Sequence, residues 1–285
     1  MKYDLKITIA ICLSLLLLGS ACSTDYISSD SIIKDENGIP NEVDTWIAEN
    51  MTKPYNIEVV YKWEDEETDL AKNLVPPEQE KVIPFLNVLK DLWLDQYEEI
   101  AGKDFIKSLT PKQILLVGSP NINSDGTITE GTAEGGRKIV LYSVNHFDAT
   151  DVEQVKEMIH IVHHEFAHIL HQTEEFDVSF NDITPAGYTS TWYNVELQDA
   201  RNSGFVTPYA MLNTKEDFVE MVSNFIILTP KEWQTTIDSV QNKLAKDALK
   251  EKELIVADYF LQVWNIDIYK FQLQLSNKIK GITDM

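Results

Sequence analysis

Val152, Val155, Ile159, Val162, Phe166 and Ile169 follow one another at steps of three or four, the period of a helix that buries one side. The ligand-bearing side opposite carries histidines. All six histidines of the chain lie between residues 146 and 171, and five of them lie between 160 and 171. His164 and His168 stand one turn apart, so a helix aims both imidazoles from one face, about a metal ion's width from each other. Thr150-Asp151-Val152-Glu153 reads as the capping box that starts this helix.

Zinc takes three or four N and O ligands in a near-tetrahedral shell, and two histidines at this spacing supply a rigid half of one. Glu165 sits beside the first histidine, within reach of a water held by such a metal. There it would take the water's proton and hand it to the leaving group. His164-Glu165-Phe166-Ala167-His168 therefore predicts a Zn2+-dependent hydrolase.

A third ligand has to come from elsewhere, and the residues offer three. His171 continues the row of His160, His164 and His168, but a straight helix carries it too far along its axis to close a tetrahedron. Glu174 has the spacing of the third metzincin ligand, a pattern that requires Gly where this chain has His171. Glu216 lies on the next strong helix, which begins near Thr214 and buries Phe218, Met221, Val222, Phe225 and Ile226. Glu220 follows it by one turn, opposite that stripe.

Around these helices the chain reads as follows. Residues 1–21 hold two lysines, an apolar run and then small residues, the layout of a secretory signal peptide. Cys22 comes directly after and reads as a lipidation site. Residues 22–45 are polar and read as a tether, and residues 46–285 as one domain. Loss of the signal takes Cys12 with it, so no internal disulfide can form and a packed core has to hold the fold. A net charge of -22 repels phosphate backbones and excludes nucleic acid as a partner class.

The alternation over residues 56–63 predicts a half-buried strand, residues 78–100 a helix, and residues 114–117 and 138–144 short strands. Gly126, Gly131, Gly135 and Gly136 mark a loop between those two. Two helices over residues 231–246 and 251–279 close the domain.

Phe205-Val206-Thr207-Pro208-Tyr209-Ala210, then Asn213 and Glu216-Asp217-Phe218-Val219-Glu220-Met221, resembles the zinc-binding metallopeptidase lipoproteins of Bacteroidetes that accompany outer-membrane nutrient-import systems. His163 to Gln172 and the strand from Tyr55 to Trp63 fit that pattern as well. The stretch is also similar to the catalytic end of anthrax lethal factor, a gluzincin. The resemblance implies Glu216 as third zinc ligand and Glu220 as the acid that orients a ligand histidine. It also implies that Tyr209, seven residues before Glu216, stabilises the oxyanion. His160 and His171 then support the site or rim it, and His163 makes a structural hydrogen bond. By the same analogy, the run over residues 138–144, ahead of His146, is the edge strand that pairs with an extended substrate. Trp192 and Tyr193 pack between the motifs or line a substrate wall.

The expected fold is an α+β zincin-like metallopeptidase domain: a small twisted sheet, an active-site helix, a glutamate helix and a helical C-terminal part. The expected function is zinc-dependent peptide hydrolysis by a lipoprotein of the cell envelope, held at the outer membrane through Cys22. Its partners would be a peptide or protein substrate and import components. A non-catalytic nutrient-binding surface lipoprotein is the alternative, and an intact Glu165 between two ligand histidines argues against it. A structural zinc site would fill all four positions, which a His, His, Glu set does not.

Overall fold

The computed structural model describes residues 40–63, 68, 71–124, 126–134 and 137–283. The expected signal peptide, Cys22, the tether up to residue 39, Gly135 and Gly136 lie outside them. Folded structure begins earlier than residue 46. Asn41 caps the first helix reciprocally with Asp44, accepting from the Asp44 amide at 2.8 Å and donating its own amide to the Asp44 carboxylate at 3.1 Å. Residues 41–45 thus belong to the domain and not to the tether.

That helix, α1 (Glu42–Ile47), runs through a π-helical turn (Ala48–Thr52) into Lys53–Tyr55 and stops at Asn56, whose φ of 57° is left-handed. β1 (Glu58–Val60) is shorter than the alternation over 56–63 suggests, because Asn56 still closes the helix. α2 (Gln79–Leu89) continues through a second π-helical turn (Lys90–Leu94) into Asp95–Ala101, and α3 (Lys103–Leu109) follows. The strands β2 (Gln113–Leu116), β3 (Asn121–Ile122), β4 (Ile128–Thr129), β5 (Gly131–Glu134) and β6 (Lys138–Leu141) come next, before the long helix α4 (Val152–Thr173). The remainder is helical: α5 (Leu197–Asn202), α6 (Thr214–Ile227), α7 (Pro230–Ser239), α8 (Lys243–Trp264) and α9 (Ile268–Thr283).

The main sheet has the order β1-β2-β6-β5, and only its last strand runs antiparallel to its neighbour. Alternation sorts its side chains onto two faces. Ile114, Leu116, Ile139 and Leu141 enter the main core, while Leu115, Val117 and Val140 form a smaller cluster with Val60, Trp63 and Leu74. β6 is an interior strand, so the run expected to form the substrate edge does not. The sheet ends on this side at β5, in the segment the glycines mark as a loop, and among the described residues no strand pairs with its outer side. Gly131 is there because β5 lies directly on α4: a Cβ at this position would meet Ile161 Cγ2 at 2.4 Å.

Two helix boundaries differ from expectation. Asp151, not Thr150, caps α4: its carboxylate accepts from the amides of Glu153 and Gln154, while the Thr150 hydroxyl donates to Asp148. After α6 the chain makes three helices where two are expected. Asn242 caps α8 by accepting from the Leu244 amide, and left-handed Asn265 ends it. No described helix is long and apolar enough to cross a membrane.

The apolar stripe of α4 is clamped by aromatic rings. Phe166 is fully buried and meets Trp93 and Tyr97 edge-on at 5.5 and 4.8 Å. His163 lies among them, fully buried, its Nδ1 3.5 Å from the Tyr97 hydroxyl and its ring against Phe271. Burial pushes its pKa from 6.5 down to about 3, so the folded protein holds it neutral.

A depressed folded pKa stabilises fully above the unfolded value and loses that contribution as pH falls. Between pH 7 and pH 4.5, His163 should therefore remove about 2–3 kcal/mol of unfolding free energy. Urea titrations at the two pH values should show a correspondingly smaller drop in His163→Leu. An identical drop would show that His163 titrates freely in the fold.

Candidate active site

α4 and α6 cross so that a row of imidazoles faces a row of carboxylates. Asn213 sets the phase of α6, its side chain accepting from the amides of Lys215 and Glu216, which leaves Glu216 in the first turn. The crossing brings Glu216 Oε2 to 3.2 Å from Nε2 of both His164 and His168. One ligand atom from each of the three lies within 4.8 Å of the others. Glu174 is elsewhere: it ends α4, and its backbone carbonyl accepts from the Tyr259 hydroxyl. His171 faces the back of His168, with Nε2 3.1 Å from His168 Nδ1.

The three donors fit a zinc ion by their chemistry, two imidazole nitrogens and a carboxylate oxygen that leave a fourth position free. Their electrostatics fit too. Burial disfavours charge on His164, but hydrogen bonds to Glu216 and Glu220 outweigh it and raise its pKa to about 10. Glu216 shows the converse, for burial opposes its ionisation and the two histidines still lower it to about 2. The cluster thus favours positive charge at its centre.

Each imidazole is also fixed from behind. His164 Nδ1 donates to Glu220 Oε1 at 2.8 Å, so the nitrogen that faces Glu216, and that a metal would take, is Nε2. His168 has the same arrangement, with His171 Nε2 as acceptor. His171 can accept because burial, then the charge of His168, lower its pKa to about 4. Glu220 Oε1 also lies 3.2 Å from His160 Nε2, and its other oxygen accepts from Thr207 Oγ1 at 2.5 Å and Asn224 Nδ2 at 3.3 Å. His160, His164 and Glu220 form a second group with metal-ligating spacing. Its atoms are already joined through Glu220, so it braces the first group.

Glu165 is buried beside these ligands, and its charge raises the pKa of both His164 and Tyr209. Tyr209 stands on a short turn (Tyr209–Leu212), its ring 5.8 Å from that of His164 and edge-on to Trp192 at 4.9 Å. Burial, then the charges of Glu216, Glu165 and Glu220, hold its phenol above the ordinary range. At neutral pH it is a hydrogen-bond donor. Trp192 thus packs against a site residue, whereas Tyr193 is exposed.

Four supporting residues escape sequence reasoning. Thr207 accepts from the Ala210 amide while its hydroxyl holds Glu220, so one side chain links the Tyr209 turn to the histidine row. Asn224 lies 3.2 Å from His160 Nε2. Asp217, next to Glu216, points the other way and pairs at 2.6 Å with Lys252, both fully buried. Lys252 also donates to the Gly204 carbonyl and lies over the Phe205 ring. An acid next to Glu216 in sequence hints at Asp217, but nothing local points to Lys252, 35 residues on.

Removing Glu220 leaves His164 Nδ1 without its acceptor. Glu220→Ala should weaken zinc affinity about 10- to 100-fold, with a smaller loss in Thr207→Val. Competition against a chromophoric chelator measures both, and parental affinity in both variants would show that this support is idle.

Residues 36–269 match the family model described as "Putative zinc-binding metallo-peptidase". A crystal structure described as that of a putative zinc-binding metallo-peptidase from Bacteroides caccae is similar, with a TM-score of 0.74 and 33% identity, over 90% of this chain and 98% of that chain. No curated protein matches the sequence. Since the family match spans most of the chain and the solved relative shares its fold nearly end to end, this protein belongs to the putative zinc-binding metallo-peptidase family.

Proposed function

We propose that this protein is a zinc-dependent peptidase in which Glu165 carries the proton. The observation behind this reading is the convergence of His164, His168 and Glu216, with ligand atoms within 4.8 Å of one another, beside a buried Glu165. Zinc held by the three would supply a Lewis acid for the substrate carbonyl and for water. Glu165 removes a proton from the water that attacks the carbonyl carbon, and returns it to the amine nitrogen as the C–N bond breaks. Tyr209 donates its hydroxyl hydrogen to the developing oxyanion. His171 and Glu220 keep the two imidazoles in the tautomer and orientation that ligation requires. The open edge of β5 above Glu165 suits an extended peptide, which would add a strand there.

The same proposal extends to the cell. Residues 1–21 direct export, Cys22 takes the lipid, and residues 22–40 let the domain stand off the outer membrane beside nutrient-import components. Cys22→Ala should release the protein from the membrane fraction, and retention there would argue for another anchor.

Metal analysis by mass spectrometry is the deciding measurement. The parent should carry about one zinc per chain, lost in Glu216→Ala and kept in Glu174→Ala. Glu165→Gln should keep zinc and lose at least about 100-fold in peptide hydrolysis, and Tyr209→Phe should lose a similar factor in kcat. A parent that takes up no zinc, or a Glu165→Gln protein with full zinc and full activity, would overturn the reading.

A further inference from the structure

The mechanism leaves unused a cavity of about 330 Å³ between the first half of α4 and the strand edge. Its inner wall is Ile161, one turn before Glu165 and so about 6 Å along the helix from it. Ile161 is also the side chain against which Gly131 of β5 packs. The cavity is therefore continuous with the place where a peptide would lie. A chain extended along β5 advances about 3.4 Å per residue, so a side chain one or two residues from the attacked bond falls into it.

Its lining has two parts. Phe85, Leu141, Phe147 and Met158, all otherwise buried, make an apolar floor. At the mouth stand Glu130 and Glu157, whose carboxyl groups lie close enough to act on each other. The Glu130 carbonyl accepts from the Tyr142 amide, which fixes that residue at the start of the edge strand. Burial and then the charge of Glu157 raise the Glu130 pKa. Among the described residues no lysine or arginine lines the cavity, and its remaining polar groups include Gln154 and His146. An apolar shaft ending in a carboxylate pair without a resident cation complements a side chain with a methylene stem and a charged tip. The surrounding charge of -22 adds to that preference.

We propose that this cavity is the specificity pocket for a basic side chain of the substrate, lysine or arginine, with the stem on Met158 and Ile161 and the cation between Glu130 and Glu157. The inference rests on the peptidase reading and names the substrate class of the same site.

The test compares zinc-loaded parent with the double variant Glu130→Gln/Glu157→Gln on peptides that differ in one residue, arginine or norleucine, scanned across the positions next to the scissile bond. At one position the parent should prefer arginine. The double variant should lose about 30-fold in kcat/KM on that peptide and stay within about twofold on the norleucine peptide, with zinc content unchanged. Equal cleavage of both peptides by the parent, or a basic preference kept by the double variant, overturns the pocket and leaves the peptidase reading standing. Cleavage of neither peptide counts against the peptidase reading, and the pocket is then decided by binding. In that case N-acetyl-arginine amide should shift the methyl resonances of Met158 and Ile161 in the parent, but not in the double variant, and N-acetyl-norleucine amide should shift neither. The absence of an arginine-specific shift overturns the pocket.

Discussion

One buried carboxylate ties the site to the fold. Glu220 is almost wholly removed from water, yet it stays ionised, because His160 and His164 outweigh the cost of burial. A charge in that position is tolerable only while its partners stay in place. Those partners come from three parts of the chain: the histidine row of α4, Thr207 on the segment that leads to Tyr209, and Asn224 one turn further along α6. The apolar stripes press α4 and α6 together but tolerate some sliding. The carboxylate does not, since a shift along either helix would leave it facing hydrocarbon. The relative phase of the two helices, and with it the meeting of Glu216 with His164 and His168, follows from that restriction.

Much of this was legible because the essential spacings are local. His164 with His168, and Glu216 with Glu220, are each pairs one turn apart on strongly amphipathic helices, so each half of the site can be read without knowing the other. How the halves meet could not be read from periodicity, and the choice of Glu216 over His171 and Glu174 needed either a family likeness or coordinates. Residues that act over long separations stayed hidden. Lys252 looks like any lysine on a charged helix until Asp217 is placed beside it. The helix breaks after Ser239 and at Asn265 were missed for a different reason: they contain neither glycine nor proline, and Asn242 caps with its side chain while Asn265 turns the backbone left-handed. The edge strand was missed because glycine has low strand propensity, and at Gly131 packing overrides propensity.

The chain is strongly acidic, and its site distributes carboxylates among distinct tasks by their surroundings. Glu216 faces two imidazoles and is held ionised. Asp217, its neighbour in sequence, turns into the core, where burial raises its pKa to about 6 against the pull of Lys252. Glu220 orients histidines, and Glu165 lies under the strand edge. At the cavity mouth, the Glu130 pKa is raised by burial and then by the charge of Glu157, with His160 pulling the other way. Five different settings thus give one functional group different characters, set by what lies within about 4 Å of each oxygen.

Gly131 has a consequence for how deep the cleft can be. With no side chain there, the strand rests on Ile161, and the position where its Cβ would lie is 3.8 Å from Glu165 Cγ. The height of the strand above the helix is therefore set by backbone touching side chain, the shortest separation that two such elements can adopt. A single methyl group would act as a shim, lifting the strand while the histidine row below stayed where it is. Reach, in such a cleft, is governed by an atom that is missing, and relatives of this fold could retune it without altering any residue that handles a proton or a metal.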